Sequence, residues 1–271
     1  PLQSAMGAPG ALVEARELDA LVTQPLLASN SGGLMWLRLQ DAYQLSAVLI
    51  GQVALRDVTP EGFSLPAWKS ITVETTQPET PLCGIDPPSA LVLQAPYGRA
   101  TQLVVNGSSI DLNGTMVVET RGDQTHFIVI EGQSRFTVLG GIFTLFAGQQ
   151  LDVTYVPGDW TTPSTQPLGA RPLDWDRVAN LPVALFDRAA LLPQPGYVMT
   201  SSNVNMRVGP DENARLLYQV PPDEVLSVLG MNGPGDWYHV RLGNGETGWM
   251  RADLLQRFTG PIQVVYEATP A

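Results

Sequence analysis

The chain has 271 residues, 44% of them hydrophobic, with 26 glycines, 23 prolines and a net charge of −11 from 15 basic and 26 acidic side chains. This length supports two or three units of ordinary domain size. The acidic balance, with Lys69 the single lysine, repels phosphate backbones and argues against a nucleic-acid partner, and no run reaches the ~18 apolar residues of a membrane-spanning helix.

Glycine and proline at this density, with Val, Ile, Thr and aromatic residues between them, predict short strands joined by many turns, an all-β class. The first residue is Pro1 and not methionine, which fits an export signal already removed and an extracellular or cell-surface location. Cys83 stands alone. It cannot form an internal disulfide, and its two readings are a small buried hydrophobe or a link between molecules.

Residues 1–80 form an N-terminal β-rich region. One helix is expected over Leu12 to Val22, then strands over Leu34 to Leu39, Leu45 to Ile50, Val53 to Leu55 and Ile71 to Val73. Pro78 to Pro88 holds too many prolines for ladder hydrogen bonds and reads as a connection. Residues 90–156 carry the most regular β pattern, with Leu91 to Leu93, Leu103 to Val105, Ile110 to Leu112, Met116 to Val118, Phe127 to Ile130, Phe136 to Val138, Ile142 to Phe146 and Leu151 to Tyr155 as separate short strands. Asn106-Gly107, Asn113-Gly114, Gly122-Asp123, Glu131-Gly132, Gly140-Gly141 and Ala147-Gly148 supply the positive φ of tight hairpins between them. Strands at this pitch imply a sandwich, roll or small barrel.

Glu131-Gly-Gln-Ser-Arg-Phe-Thr-Val138 and Ala147-Gly-Gln-Gln150 resemble the turn motifs of the FecR family over about sixty residues. That resemblance implies a β-rich ectodomain; the family's periplasmic signalling role depends on a membrane helix that this sequence does not contain. A cupin is the competing β reading, but cupin metal sites use several histidines and this stretch has only His126.

Residues 157–195 read as a Pro-rich linker, with a short helix from Asn180 to Leu191. Residues 196–258 form the last domain and 259–271 a C-terminal tail. In the last domain Asn203-Val-Asn-Met-Arg-Val-Gly-Pro210, Asp236-Trp-Tyr-His-Val-Arg241 and Gly243-Asn-Gly-Glu-Thr-Gly-Trp249 resemble the bacterial SH3 family. The resemblance implies a small SH3-like barrel that binds cell-wall peptides or glycans or acts as a spacer. Pro221-Pro-Asp-Glu224 replaces a basic residue and glycine frequent in the family before the middle strand, making that edge acidic.

Arg207, Trp237, Tyr238 and Trp249 are the candidate contact residues, since aromatic faces suit sugar rings or peptide and arginine grips a carboxylate. The competing reading makes Trp249 and Tyr238 core and Arg207 a brace. Arg121-Gly-Asp123 spells an adhesion tripeptide but falls where a strand must turn, and the Asn106 and Asn113 sequons are better read as Asn-Gly turns. No catalytic set is expected: His126 and His239 are the only histidines, Cys83 has no activating neighbour, and the carboxylates at Asp174 and Asp176 or Asp223 and Glu224 read as solvated charge. Neither a metal site nor a cofactor is expected.

The sequence therefore predicts a non-enzymatic, modular all-β protein of the bacterial cell envelope, with β-sandwich or roll domains, Pro-rich linkers and a terminal barrel. Two functions compete: a structural subunit of a surface filament, sheath or layer, built as a homo-oligomer or polymer by β-domain packing and strand addition, or a monomeric protein that binds cell-wall peptide or glycan through its barrel.

Overall fold

The computed structural model describes residues 14, 17–25, 33–39, 44–61, 65–77, 88–96, 99–174, 177–178, 180–182, 185–186, 197–242 and 246–259. Thirteen strands make the first sheet system: β1 (Ala20–Val22), β2 (Leu34–Leu39), β3 (Leu45–Ile50), β4 (Gln52–Asp57), β5 (Ser70–Thr76), β6 (Ala90–Gln94), β7 (Thr101–Val105), β8 (Ser108–Arg121), β9 (Gln124–Val138), β10 (Gly141–Phe146), β11 (Gln149–Val156), β12 (Asp159–Pro163) and β13 (Arg171–Pro172).

The organising feature is the hairpin of β8 and β9, 14 and 15 residues long and antiparallel throughout. The first half of β8 pairs with β7 and its second half with β6. On the far side β9 divides likewise, its second half on β10 and its first half on β11. Two sheets thus share one hairpin. The first runs β1-β4-β5-β7 into β8, β9 and β10, and the second runs β2-β3-β6 into β8, β9, β11 and β13.

The hairpin bends from one sheet into the other at Gly114 and Gly132, which lie opposite each other in register. Both have positive φ, +127° and +74°. A Cβ on Gly114 would meet the carbonyl oxygen of Glu131 at 2.1 Å, and one on Gly132 would meet that of Asn113 at 2.2 Å. Only glycine permits this backbone approach.

Alternation along the strands sends one face of each sheet into a common core. Leu49, Leu91, Leu93, Met116, Val118, Phe127 and Leu151 enter it from the second sheet, and Val53, Val73, Val105, Leu112, Phe136 and Leu145 from the first. The rings of Phe127 and Phe136 meet at 5.3 Å between centroids. The outer face of the second sheet is also buried: Val48, Ile50, Val92, Val117, Ile128 and Ile130 pack beneath Leu173, Val178, Leu181 and Phe186. Burial on both faces is why β3 and β6 read as continuous apolar runs and not as alternating ones.

Several expectations are revised. The divide between residues 1–80 and 90–156 disappears, because β6 lies between β3 and β8 and β7 lies between β5 and β8. Asn113-Gly114 and Glu131-Gly132 are not hairpin turns but bends within long strands, so the short strands expected on either side of each are continuous. Positive φ by itself does not say whether a chain reverses or only bends; cross-strand pairing decides. At the β9–β10 turn the positive φ falls on Leu139 and Gly140. The 157–172 stretch contains β12 and β13, both paired to β11.

The helix expected over Leu12 to Val22 is replaced at its end by β1, paired to β4. Of the helix expected over Asn180 to Leu191 only 180–182 and 185–186 are described, irregular apart from a 3-10 turn at Leu185, and the remainder lies outside the described residues, as do Cys83, Asp176, Gly243 to Gly245 and 260–271. Asn106 is fully buried, its amide bonded to Val73 and Thr125, so its sequon serves packing. Arg121 ends β8 and Gly122 and Asp123 form the β8–β9 turn.

The second sheet system has seven strands: β14 (Tyr197–Thr200), β15 (Val204–Arg207), β16 (Leu216–Val220), β17 (Val225–Met231), β18 (Trp237–Arg241), β19 (Thr247–Arg251) and β20 (Leu255–Thr259). Their order is β16-β15-β19-β18-β17-β14-β20. Val198, Val204, Met206, Val220, Leu226, Val228, Val240 and Met250 come from six of these strands and form one cluster, with Leu255 of the seventh packed against it. The sheet therefore curls around its own core.

Candidate binding faces and the interdomain contact

Along β18 the even-numbered residues Tyr238 and Val240 face the core, so Trp237, His239 and Arg241 face outward. Along β19 Met250 is core and Trp249 is outward. Gly248 precedes it because a Cβ there would lie 2.6 Å from Met206 Cγ and 2.9 Å from Leu217 Cδ1. The register then aligns Arg207, Trp249 and His239 in one row across β15, β19 and β18.

Residues 202–256 match the bacterial SH3 domain. No curated protein matches the chain. Two solved structures, each described as a putative anti-sigma factor from Parabacteroides distasonis ATCC 8503, are similar to it in part. One is 11% identical over 57% of this chain and 60% of that chain, with a TM-score of 0.36. The other is 10% identical over 69% of each chain, with a TM-score of 0.38.

Within the bacterial SH3 domain the four candidate contact residues are tied into the fold. Trp249 is buried and stacks on His239, ring centroids 5.0 Å apart and 13° from parallel. Trp237 is buried too, its amide donating to Asn232 Oδ1. Tyr238 packs on the core. Arg207 donates from Nη1 to the carbonyl of Ala214 at 2.9 Å, bracing the 208–215 turn. Arg251 pairs with Glu212 and Asp253 at the surface.

Arg241, the next outward residue after His239, leaves the domain altogether. Its Nη2 lies 3.3 Å from Glu131 Oε1 of β9, and both side chains are almost wholly buried. Glu131 Oε2 accepts from Thr115 Oγ1, whose hydroxyl in turn accepts from Gln94 Nε2, both at 2.9 Å. Arg241 thus joins the SH3 domain to the sandwich beside the Gly114/Gly132 bend. Burial of such a pair depends on both members being present, since either one alone leaves an uncompensated charge.

A second polar row crosses the buried outer face of the sandwich. Glu119, His126 and Asp152 lie opposite one another on β8, β9 and β11. His126 Nδ1 and Asp152 Oδ1 are 2.6 Å apart, and Arg171 Nε bonds Asp152 Oδ2 at 2.5 Å. Burial acts to raise the Asp152 pKa, but hydrogen bonds from His126, Arg171 and Gln150 outweigh it and hold the carboxyl well below its ordinary range. At Glu119 the balance reverses. Burial raises its pKa against the pull of Arg121 and Arg177, which approach no nearer than 3.4 and 3.9 Å, and neither of its oxygens accepts a hydrogen bond. Among the described residues no group of three or more His, Cys, Asp or Glu side chains is placed to hold a metal ion.

Glu119, Asp152, Arg171 and Arg177 belong to no motif in the sequence, and Glu131 and Arg241 fall within motifs that do not point to their pairing. One signal was available: Glu119 interrupts the apolar run Met116-Val-Val118, and a charge inside a buried strand needs partners.

Proposed function

We propose that this chain is a non-enzymatic structural protein of the bacterial cell envelope that assembles with copies of itself through the exposed edge strand β2. The observation carrying this reading is the character of that edge. Among the described residues β2 pairs with β3 alone and ends the strand path. Its sequence, Leu-Met-Trp-Leu-Arg-Leu, is apolar on the inward face, and on the outward face Leu34 and Trp36 stand beside a single charge, Arg38. Met35, Leu37 and Leu39 pack against the core, while Leu34 and Trp36 are nearly half exposed, with Arg38 over the Trp36 ring at 5.4 Å. An edge of this kind offers main-chain donors and acceptors to a further strand, and natural monomers usually blunt it with charge, proline or a bulge.

A second copy supplies the same strand, so two β2 edges can pair antiparallel about a two-fold axis, each burying the other's Leu34 and Trp36. The SH3 domain lends less support to the competing monomeric wall-binding reading, since Arg207, Trp237, Tyr238 and Trp249 all have structural employment. No helix among the described residues is long and apolar enough to cross a membrane. Mass photometry and negative-stain imaging test the proposal: a dimer or larger assembly is expected, reduced to monomer by Trp36→Lys. A monomer at every concentration would refute it.

A further inference from the structure

We infer that the outer face of the first sheet carries a binding groove for an acidic polysaccharide, a site separate from the β2 edge and from the SH3 domain. The floor of the groove is the outward face of β8, β9 and β10, where Asp111, Asn113, Gln133 and Arg135 stand, and its wall is built by Lys69 and Arg99. The fold brings that wall together for a simple reason. β5 and β7 are parallel neighbours, Ser70 opposite Val104 and Ile71 opposite Val105, so the segments leading into both strands lie at the same end of the sheet. Lys69 precedes β5 and reaches across to donate from Nζ to the carbonyl of Gln102 at 2.6 Å.

The charge of the groove runs against that of the molecule. The whole chain is −11, yet among the described lining residues the basic side chains are Lys69, Arg99 and Arg135 and the one carboxylate is Asp111, already paired to Arg135 at 3.3 Å. The described lining thus has more positive than negative side chains, and the Arg135 side chain is mostly exposed, able to present a second edge of its guanidinium to a ligand carboxylate. Between the cations the lining is amide and hydroxyl, from Asn113, Gln133 and Thr144, the donors and acceptors that suit sugar hydroxyls. A volume of about 770 Å³ lies within the range of ligand sites, about 300–1,000 Å³. An acidic peptide is a poorer match, because β8 and β9 on the floor are paired on both sides and leave a peptide backbone only the outer edge of β10, which pairs with β9 alone among the described residues; poly-glutamate tests that remaining route.

The test is calorimetric titration of the full chain with sodium polygalacturonate, neutral dextran and poly-glutamate of matched length. Polygalacturonate is expected to bind, weakening about tenfold as salt rises from low to several hundred millimolar, while dextran and poly-glutamate do not. Arg99→Ala combined with Arg135→Ala is expected to lower affinity at least about tenfold, the loss of two charge-assisted contacts. Arg215→Ala, an exposed arginine outside the groove, should leave it unchanged. Absence of polygalacturonate binding, equal binding of poly-glutamate or dextran, or full affinity in the double variant would each overturn the assignment. Trp36→Lys should bind normally, so this result is read separately from the assembly state.

Discussion

Replacing Gly132 with alanine probes the bend on which the sandwich depends, and Gly122→Ala supplies its control. Both glycines have a left-handed φ of similar size, +74° and +61°, so each alanine incurs the same backbone strain, about 1–2 kcal/mol. They differ in space. A Cβ at Gly122 meets nothing within 4 Å, whereas one at Gly132 lands 2.2 Å from the Asn113 carbonyl oxygen. That is roughly 1 Å inside the shortest ordinary C···O approach of about 3.3 Å, and the obstacle is paired backbone, which no rotamer change relieves. β8 and β9 must separate locally, adding about 1–3 kcal/mol of overpacking strain and weakening neighbouring ladder bonds worth about 0.5–1.5 kcal/mol each. The expected cost is about 3–5 kcal/mol at Gly132 against about 1–2 at Gly122. With domain stability of order 5–15 kcal/mol, the first should come near to unfolding the sandwich. Urea denaturation followed by hydrogen–deuterium exchange of β8 and β9 peptides reads this region apart from the SH3 domain. Equal midpoints for the two variants would refute the reasoning.

Arg241→Ala should destabilise the interdomain contact by about 3–5 kcal/mol by removing the cation that faces the buried Glu131 carboxylate, and Glu131→Gln in the same chain should recover part of that loss; a double-mutant cycle read by hydrogen exchange at β9 and β17 checks it. The two carboxylates beside His126 should give stability profiles of opposite sign. The depressed Asp152 contributes stability present above the unfolded carboxylate pKa and lost as pH falls through its folded value, so Asp152→Asn should destabilise at neutral pH and flatten the loss in strong acid. The raised Glu119 favours the folded state below the unfolded pKa, an advantage lost as pH rises through its folded value, so Glu119→Gln should remove that rise on mild acidification, measured as urea midpoint against pH. Trp249→Ala should cost about 3–5 kcal/mol in the SH3 domain, seen as a lower thermal midpoint for that domain with the sandwich unaffected.

Much of this architecture is local and was legible. Glycine at positive φ marks Gly107, Gly122, Gly140 and Gly148 at turns, because few other residues tolerate that backbone conformation. Alternation along Trp237 to Arg241 sets Tyr238 and Val240 on the core side, since a strand's period is two in any context. The reading of Gly114 and Gly132 failed for a physical reason. A bend and a reversal use the same dihedral angles, and the choice between them rests on residues far off in sequence, the β6, β7, β10 and β11 partners that hold each half of the hairpin in a different sheet.

Sequence by itself determined the all-β class, the approximate positions of the strands and the bacterial SH3 motif, all of which depend on neighbours within a few residues. Tertiary structure alone decided which strands share a sheet, that the second sheet is covered on both faces, that Arg241 reaches Glu131, and that Lys69, Arg99 and Arg135 meet at one groove. These are contacts between residues tens of positions apart, and no local dihedral preference or periodicity records them. They exist because burying both apolar faces leaves the strands few ways to pack, and the polar groups carried along must find partners where the packing sets them.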